Sequence, residues 1–244
     1  MNAMKQMLFV LATLLLTGTA CDDGKIYETY QQMEEQGSVY KLTAILQGVD
    51  TWPDDYELVA AAFGDSPYAT YTKVIHAPER EGEPVSVILS GVREVSQVEI
   101  CAVNRLRKRI VSFYQTDFTL QEDTLFVDAG TLDVSMFNGV QQQVFNTDCI
   151  GCHGASNFAA ANLFLTEGKS GNALVGVPST RSEAGKLLVA PSSPDESFLL
   201  DVLTQPDAVH HDHVDILSAK PDKLTLLEDW IKAMRNYIGN KTYI

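Results

Sequence analysis

Phe137-Asn138-Gly139-Val140-Gln141-Gln142-Gln143-Val144-Phe145 leads, after Asn146-Thr147-Asp148, into Cys149-Ile150-Gly151-Cys152-His153. Apolar residues at 137, 140, 144 and 145 recur at helical spacing and predict a helix that delivers the two cysteines and the histidine. Cys-x-x-Cys-His is the attachment signature of a c-type haem. Two thiols three positions apart lie about one helical turn from each other, so they can form two thioether bonds to one edge of a porphyrin. His153 then falls under the ring plane, where its imidazole can bind the iron as proximal ligand. Cys149, Cys152 and His153 are therefore the expected haem-binding residues.

The N-terminus agrees with that chemistry. Met1 to Ala20 carries Lys5, an apolar run from Leu8 to Leu16, small residues from Thr17 to Ala20, and then Cys21. This is a secretory pattern, with an apolar core too short to span a bilayer stably. A cysteine directly after small residues resembles a bacterial lipobox, in which the signal is cut before Cys21 and that residue is acylated. Gly18 departs from the Leu-like residue usual at its position. The expectation is a lipid-anchored protein of the bacterial cell envelope, facing the periplasm or the cell surface. Bacterial c-type haems are attached outside the cytoplasm, so export and the haem motif support each other.

Cleavage after Ala20 leaves 224 residues, enough for one large or two small domains. Loss of Lys5 moves the formal charge from −14 to −15. That balance speaks against nucleic acid as a partner and reads first as a solubility feature. With Cys21 on lipid and two cysteines on haem, Cys101 remains. It sits in the apolar run Val98 to Val103 and reads as a buried free thiol. A redox dithiol of Cys149 and Cys152 would leave His153 unexplained. A zinc site from these two cysteines and two later histidines is a third reading.

The chain divides into two halves. Residues 21–37 form a polar tether. From 38 to 129, short alternating or apolar runs (Val39 to Leu46, Glu57 to Phe63, Tyr68 to Ile75, Val85 to Leu89, Val98 to Val103, Ile110 to Tyr114, Thr124 to Val127) are separated by turn residues. They predict an all-β antiparallel sandwich of Ig-like type. His76 reads as a surface residue, and Arg105-Leu106-Arg107-Lys108-Arg109 as a charged hairpin tip. Residues 130–135 read as a linker to a helical domain spanning 136–240. There, Ser193-Pro194-Asp195-Glu196 is a capping box expected to open a helix from Asp195 to Leu203. A last helix follows Pro221, with Leu224, Leu227, Ile231, Met234 and Ile238 on one face and Gly239 as its stop.

Residues 134–238 resemble a class I cytochrome c domain. The haem motif, the stretch around Leu163-Phe164-Leu165-Thr166, the helix after Ser193 and the closing helix with Trp230-Ile231 come in the family's order. The nearest likeness is to cytochrome c-like domains of bacterial lipoproteins and planctomycete-type proteins. That resemblance implies an all-α cytochrome c-like fold, with Trp230 near the crossing of first and last helices. It also implies a methionine as sixth iron ligand, in the loop before the last helix. This chain departs there: the loop reads Asp207-Ala208-Val209-His210-His211-Asp212-His213, and the mature chain has only Met33, Met136 and Met234. Imidazole is a good iron ligand, so His213 is the first candidate, His210 the second and His211 the third. The expected function is that of a membrane-anchored monohaem c-type cytochrome lipoprotein, an electron carrier rather than an enzyme, which transfers electrons through its covalently bound haem and meets a redox partner protein. The alternative is a non-catalytic binding module in which the β-sandwich meets the partner and the haem is structural or redox-sensing.

Overall fold

A computed structural model describes residues 37–80, 82–155 and 158–234. The signal segment, Cys21, nearly all of the tether, Ile238 and Gly239 lie outside the described residues.

Seven strands form two sheets: β1 (Ser38–Gln47), β2 (Tyr56–Phe63), β3 (Tyr71–Val74), β4 (Pro84–Val92), β5 (Gln97–Asn104), β6 (Arg109–Asp117) and β7 (Leu125–Asp133). One sheet has the order β4-β1-β7 and the other β3-β2-β5-β6. Each apolar run named above contributes one strand, although the run from Tyr68 to Ile75 is strand only over Tyr71–Val74. Period-two alternation buries Tyr40, Leu42, Ala44 and Leu46 of β1 against Leu58, Ala60 and Ala62 of β2 and Val98 and Ile100 of β5. These residues fill the space between the sheets. A further cluster, which includes Val59, Ala61, Phe63, Cys101 and Val103, lies on the opposite side of β2 and β5. It is closed by residues 67–69, where the Ala69 N–H donates to the Arg107 carbonyl at 2.9 Å.

The expected fold class needs two corrections. The β half is not purely antiparallel, because β1 pairs antiparallel with β4 but parallel with β7. The remainder is not an all-α cytochrome c-like domain: the molecule is mostly β, and beyond residue 135 the chain forms a set of short helices between loops. They are α1 (Met136–Val140), α2 (Ile150–His153), α3 (Ser170–Leu174), α4 (Phe198–Thr204), α5 (Val214–Leu217) and α6 (Pro221–Ala233). Between α1 and α2 the chain stays helical through Gln141–Cys149, but wound as a π-helix with i→i+5 bonding. The physical reason for the short helices is plain between residues 168 and 194. Gly168, Gly171, Gly176 and Gly185 with Pro178, Pro191 and Pro194 interrupt any longer helix. The capping box behaves differently as well. Pro194–Glu196 forms one 3₁₀ turn without a Ser193 side-chain cap, and the α-helix begins only at Phe198. Ser197 holds that corner, donating to the Ser193 carbonyl at 2.9 Å and accepting from the Ala190 N–H at 2.9 Å.

No free linker joins the halves. β7 continues to Asp133, and the Val134 N–H donates to the Gln47 carbonyl at 2.9 Å. Trp52 Nε1 donates to the Val134 carbonyl at 2.7 Å, and the Met136 N–H donates to Thr51 Oγ1 at 2.8 Å. Ser135 caps α1 by accepting from the Asn138 N–H. Gly48 is required opposite this junction. Its φ is +78°, and a Cβ there would stand 2.5 Å from that of Ser135. Across the junction runs a second core in which Tyr56, with Trp52 and Ile110 beside it, packs with Met136, Val140, Phe145, Leu227, Trp230 and Ile231. Tyr56 donates to Asp229 Oδ2 at 2.9 Å. Burial, followed by the charge of Asp229, raises the Tyr56 phenol well above its ordinary range, so it stays a donor.

Candidate functional site

The π-wound segment and α2 carry Cys149, Cys152 and His153 on one continuous helical stretch. Cys149 is half-buried and packs against the second core, whereas Cys152 is exposed. Burial, and after it the charge of Asp148, pushes the Cys149 thiol up to about 11. That is the opposite of the low-pKa thiolate that redox dithiols use. The helix must stop immediately after His153, and Gly154 lets it. A Cβ at Gly154 would come within 2.5 Å of the Ile150 carbonyl oxygen and 2.7 Å of the Ile150 Cβ.

Both candidate iron-binding imidazoles are held in the same way. His153 Nδ1 lies 3.1 Å from the Leu163 carbonyl oxygen. His213 Nδ1 lies 2.5 Å from the His211 carbonyl oxygen. A carbonyl only accepts, so each Nδ1 carries a proton, and it is Nε2 that keeps the free lone pair whenever the ring is neutral. This is the usual arrangement of metal-binding histidines, in which the second nitrogen is tied to a backbone carbonyl.

The two rings are neighbours. Their centroids are 6.3 Å apart and their planes 32° apart. Two imidazoles binding one metal ion in line through a ring nitrogen, at about 2 Å each, hold their centroids about 6 Å apart. Of the three candidate histidines in the loop, His213 is the one brought to His153. His210 and His211 are exposed, and the His211 ring stands edge-on to His213 at 5.1 Å. Met136 and Met234 are buried in the second core.

Asp148, directly before Cys149, pins the N-terminus of α6 to the site. Lys220 bonds to one of its oxygens, and Lys223 bonds to the other at 2.7 Å. Partial burial works to raise its pKa, but hydrogen bonds from Lys220, Lys223 and Thr147 outweigh this and hold it down to about 2. The sign follows from linkage. The native carboxyl titrates below its ordinary 3.8, so the pairs contribute their full stability above that value and lose it as pH falls toward 2. Asp148→Asn is therefore expected to be less stable than the parent at pH 5–7, by urea unfolding, with the gap closing between about pH 4 and pH 2. A gap that is the same at pH 2 and pH 6 would contradict the assignment.

Other residues singled out in the sequence lie elsewhere. His76 is exposed. The basic cluster is a tip in which three of the four charges are paired: Arg105 with Asp55 at 2.8 Å, Lys108 with Asp222 and Arg109 with the buried Glu99. Cys101 is fully buried on the outer side of the β2–β5 pair. Sequence reasoning missed the Leu163 carbonyl, which has no side-chain signature. It also missed Asp148 with its two lysines, and the buried pair Gln141 and Ser170. Lys220 and Lys223, flanking the Pro221 that opens the last helix, were the available signal for the second of these.

The donor types are those that could hold a haem: two imidazoles whose ring centroids are 6.3 Å apart, and two thiols three positions apart in the chain directly before the first. A zinc site needs three or four donors around one point, and among the described residues no three His, Cys, Asp or Glu side chains converge in that way. No family model, no curated protein and no solved structure matches this chain. Among the described residues no helix is long and apolar enough to cross a membrane.

Proposed function

We propose that this chain is a membrane-anchored monohaem c-type cytochrome lipoprotein that carries electrons through a covalently attached, bis-histidine-ligated haem. Cys149 and Cys152 hold the porphyrin edge, His153 is the proximal ligand and His213 the distal one. The observation that carries the reading is the His153–His213 pair, 6.3 Å between centroids with both Nδ1 atoms committed to carbonyls. The haem iron would supply a one-electron couple. The protein's own contribution is orientation. The Leu163 and His211 carbonyls fix which nitrogen is free, and the Cys149 and Cys152 thiols prevent loss of the group. With an imidazole on each side there is no vacant position for a substrate, which favours electron carriage over turnover. A histidine where methionine is usual favours a lower potential. The lipid on Cys21 would keep the carrier at a membrane surface of the cell envelope, within reach of a redox partner protein.

Visible spectroscopy tests this directly. Protein made alongside a c-type maturation system is expected to show a low-spin spectrum whose pigment survives acid–acetone extraction. His213→Ala is expected to turn that spectrum high-spin while the pigment stays attached. An unchanged low-spin spectrum in His213→Ala would remove His213 from the site, and a colourless parent protein would remove the haem.

A further inference from the structure

Gln141 is 2% exposed and sits one π-helical winding before Asn146, in the segment that ends at Cys149. Every hydrogen-bonding position of its carboxamide except one acceptor lone pair is used. Nε2 donates to Asn146 Oδ1 at 2.7 Å and to the Leu165 carbonyl at 3.0 Å, while Oε1 accepts from the buried Ser170 Oγ. The i→i+5 winding is what brings Gln141 and Asn146 to the same side of the helix. Three segments therefore meet on one side chain: the helix of the cysteine motif, the loop through Leu165 and the start of α3.

That loop also sets the proximal imidazole. Leu163 presents its carbonyl to His153 Nδ1, and two residues later the Leu165 N–H donates to the His153 carbonyl at 2.8 Å. The segment has little local reason to keep this shape. It has no regular structure after the single turn Ala160–Asn162, and in that turn Ala161 and Asn162 hold φ of 54° and 55°. These are left-handed values that cost free energy for residues with a Cβ. The cost is opposed by burial of Leu165 in the second core with Leu163 packed against it, and by the His153–Leu163, His153–Leu165 and Gln141–Leu165 hydrogen bonds; of the last two, the Gln141 bond is the fully buried one.

We propose that Gln141 is the positioning residue for His153. By holding the Leu163–Leu165 loop against the motif helix, it fixes the Nδ1–H tautomer and leaves Nε2 available to a metal. The proposal rests on the haem reading of His153 for its purpose, but its geometry can be tested without haem. A merely structural buried amide would lower stability when replaced and leave the imidazole alone. A positioning residue changes the imidazole.

The experiment uses the full chain with Gln141→Met and, as the milder change, Ser170→Ala. In the haem-free protein, ring ¹⁵N spectra of His153 report the tautomer ratio. The parent is expected to show the Nδ1–H form, and Gln141→Met, which has a similar length and no donor for Leu165, at least about a fivefold fall in the ratio of Nδ1–H to Nε2–H. Ser170→Ala is expected to move it in the same direction by less, and decides the matter if Gln141→Met does not fold. In the haem-loaded protein the loss of the Nδ1 bond makes the imidazole a weaker donor, so the midpoint potential is expected to rise with the spectrum still low-spin. Reduced stability with an unchanged tautomer ratio in the folded variants would overturn the proposal. Failure of the parent to take up haem would instead overturn the haem reading and leave the tautomer result standing.

Discussion

A Cys149→Ala/Cys152→Ala double variant is expected to yield no pigment after acid–acetone extraction, against a fully retained pigment in the parent. The two thiols are the covalent attachment points in the proposed site, and nothing else in the fold can replace them. Cys101 is the one other cysteine among the described residues, and it is fully buried between Ala69 and the β2–β5 pair. Burial, then the charge of Glu99, raises its pKa well above the ordinary thiol value, and it is no nucleophile for a group bound outside the sandwich. Cys101→Ala should accordingly keep the pigment. Single replacements at Cys149 or Cys152 should retain one thioether and shift the absorption bands. Extraction-resistant pigment in the double variant would show that the attachment lies elsewhere.

Trp230→Ala should produce the largest loss of stability in the chain, about 3–5 kcal/mol, corresponding to a fall in Tm of roughly 6–20 °C. The indole is 6% exposed and joins the closing helix to the motif helix through two rings. Phe137 lies 5.2 Å away and Phe145 meets it edge-on at 6.4 Å. The same core contains Tyr56 and takes Trp52 and Ile110 from the β half. Truncating Trp230 should therefore lower the stability of both halves together, in one cooperative transition followed by both near- and far-ultraviolet circular dichroism. Leu106→Ala, at a side chain 72% exposed, should stay within about 0.5 kcal/mol of the parent. Two separate transitions, with only the helical part destabilised by Trp230→Ala, would contradict a shared core.

The strands were legible because period-two alternation is a local signal. Tyr40, Leu42, Ala44 and Leu46 announce a buried face whatever lies opposite. The parallel pairing of β1 with β7 was not legible. It joins residues more than eighty positions apart, and alternation carries no information on strand direction. Residues 130–135 read as a linker in sequence, between the last alternating run and the first helical one. In the fold Gly130 takes a φ of +68° within β7, and the strand runs on. The helical reading after residue 135 failed for a related reason. A family likeness in the order of features says little about helix length, and the glycines and prolines from 168 to 194 cut the helices short. At the site, chemistry-bearing side chains could be named from their spacing. The contacts orienting them could not, because the Leu163 and His211 carbonyls belong to the backbone and Gln141 resembles its neighbours Gln142 and Gln143. The choice of His213 over His210 and His211 likewise depends on where the loop before α5 turns.

His153 and His213 are sixty positions apart in the chain. Any metal centre held by both is therefore also a staple across the intervening loop. By the chain-entropy argument used for disulfides, closing a loop of that length removes about 4 kcal/mol of freedom from the unfolded chain. Unlike a disulfide, this staple would tighten or loosen with the affinity of the distal imidazole for each oxidation state. The folding free energy of the segment between the two histidines would then be a readout of the electron it carries.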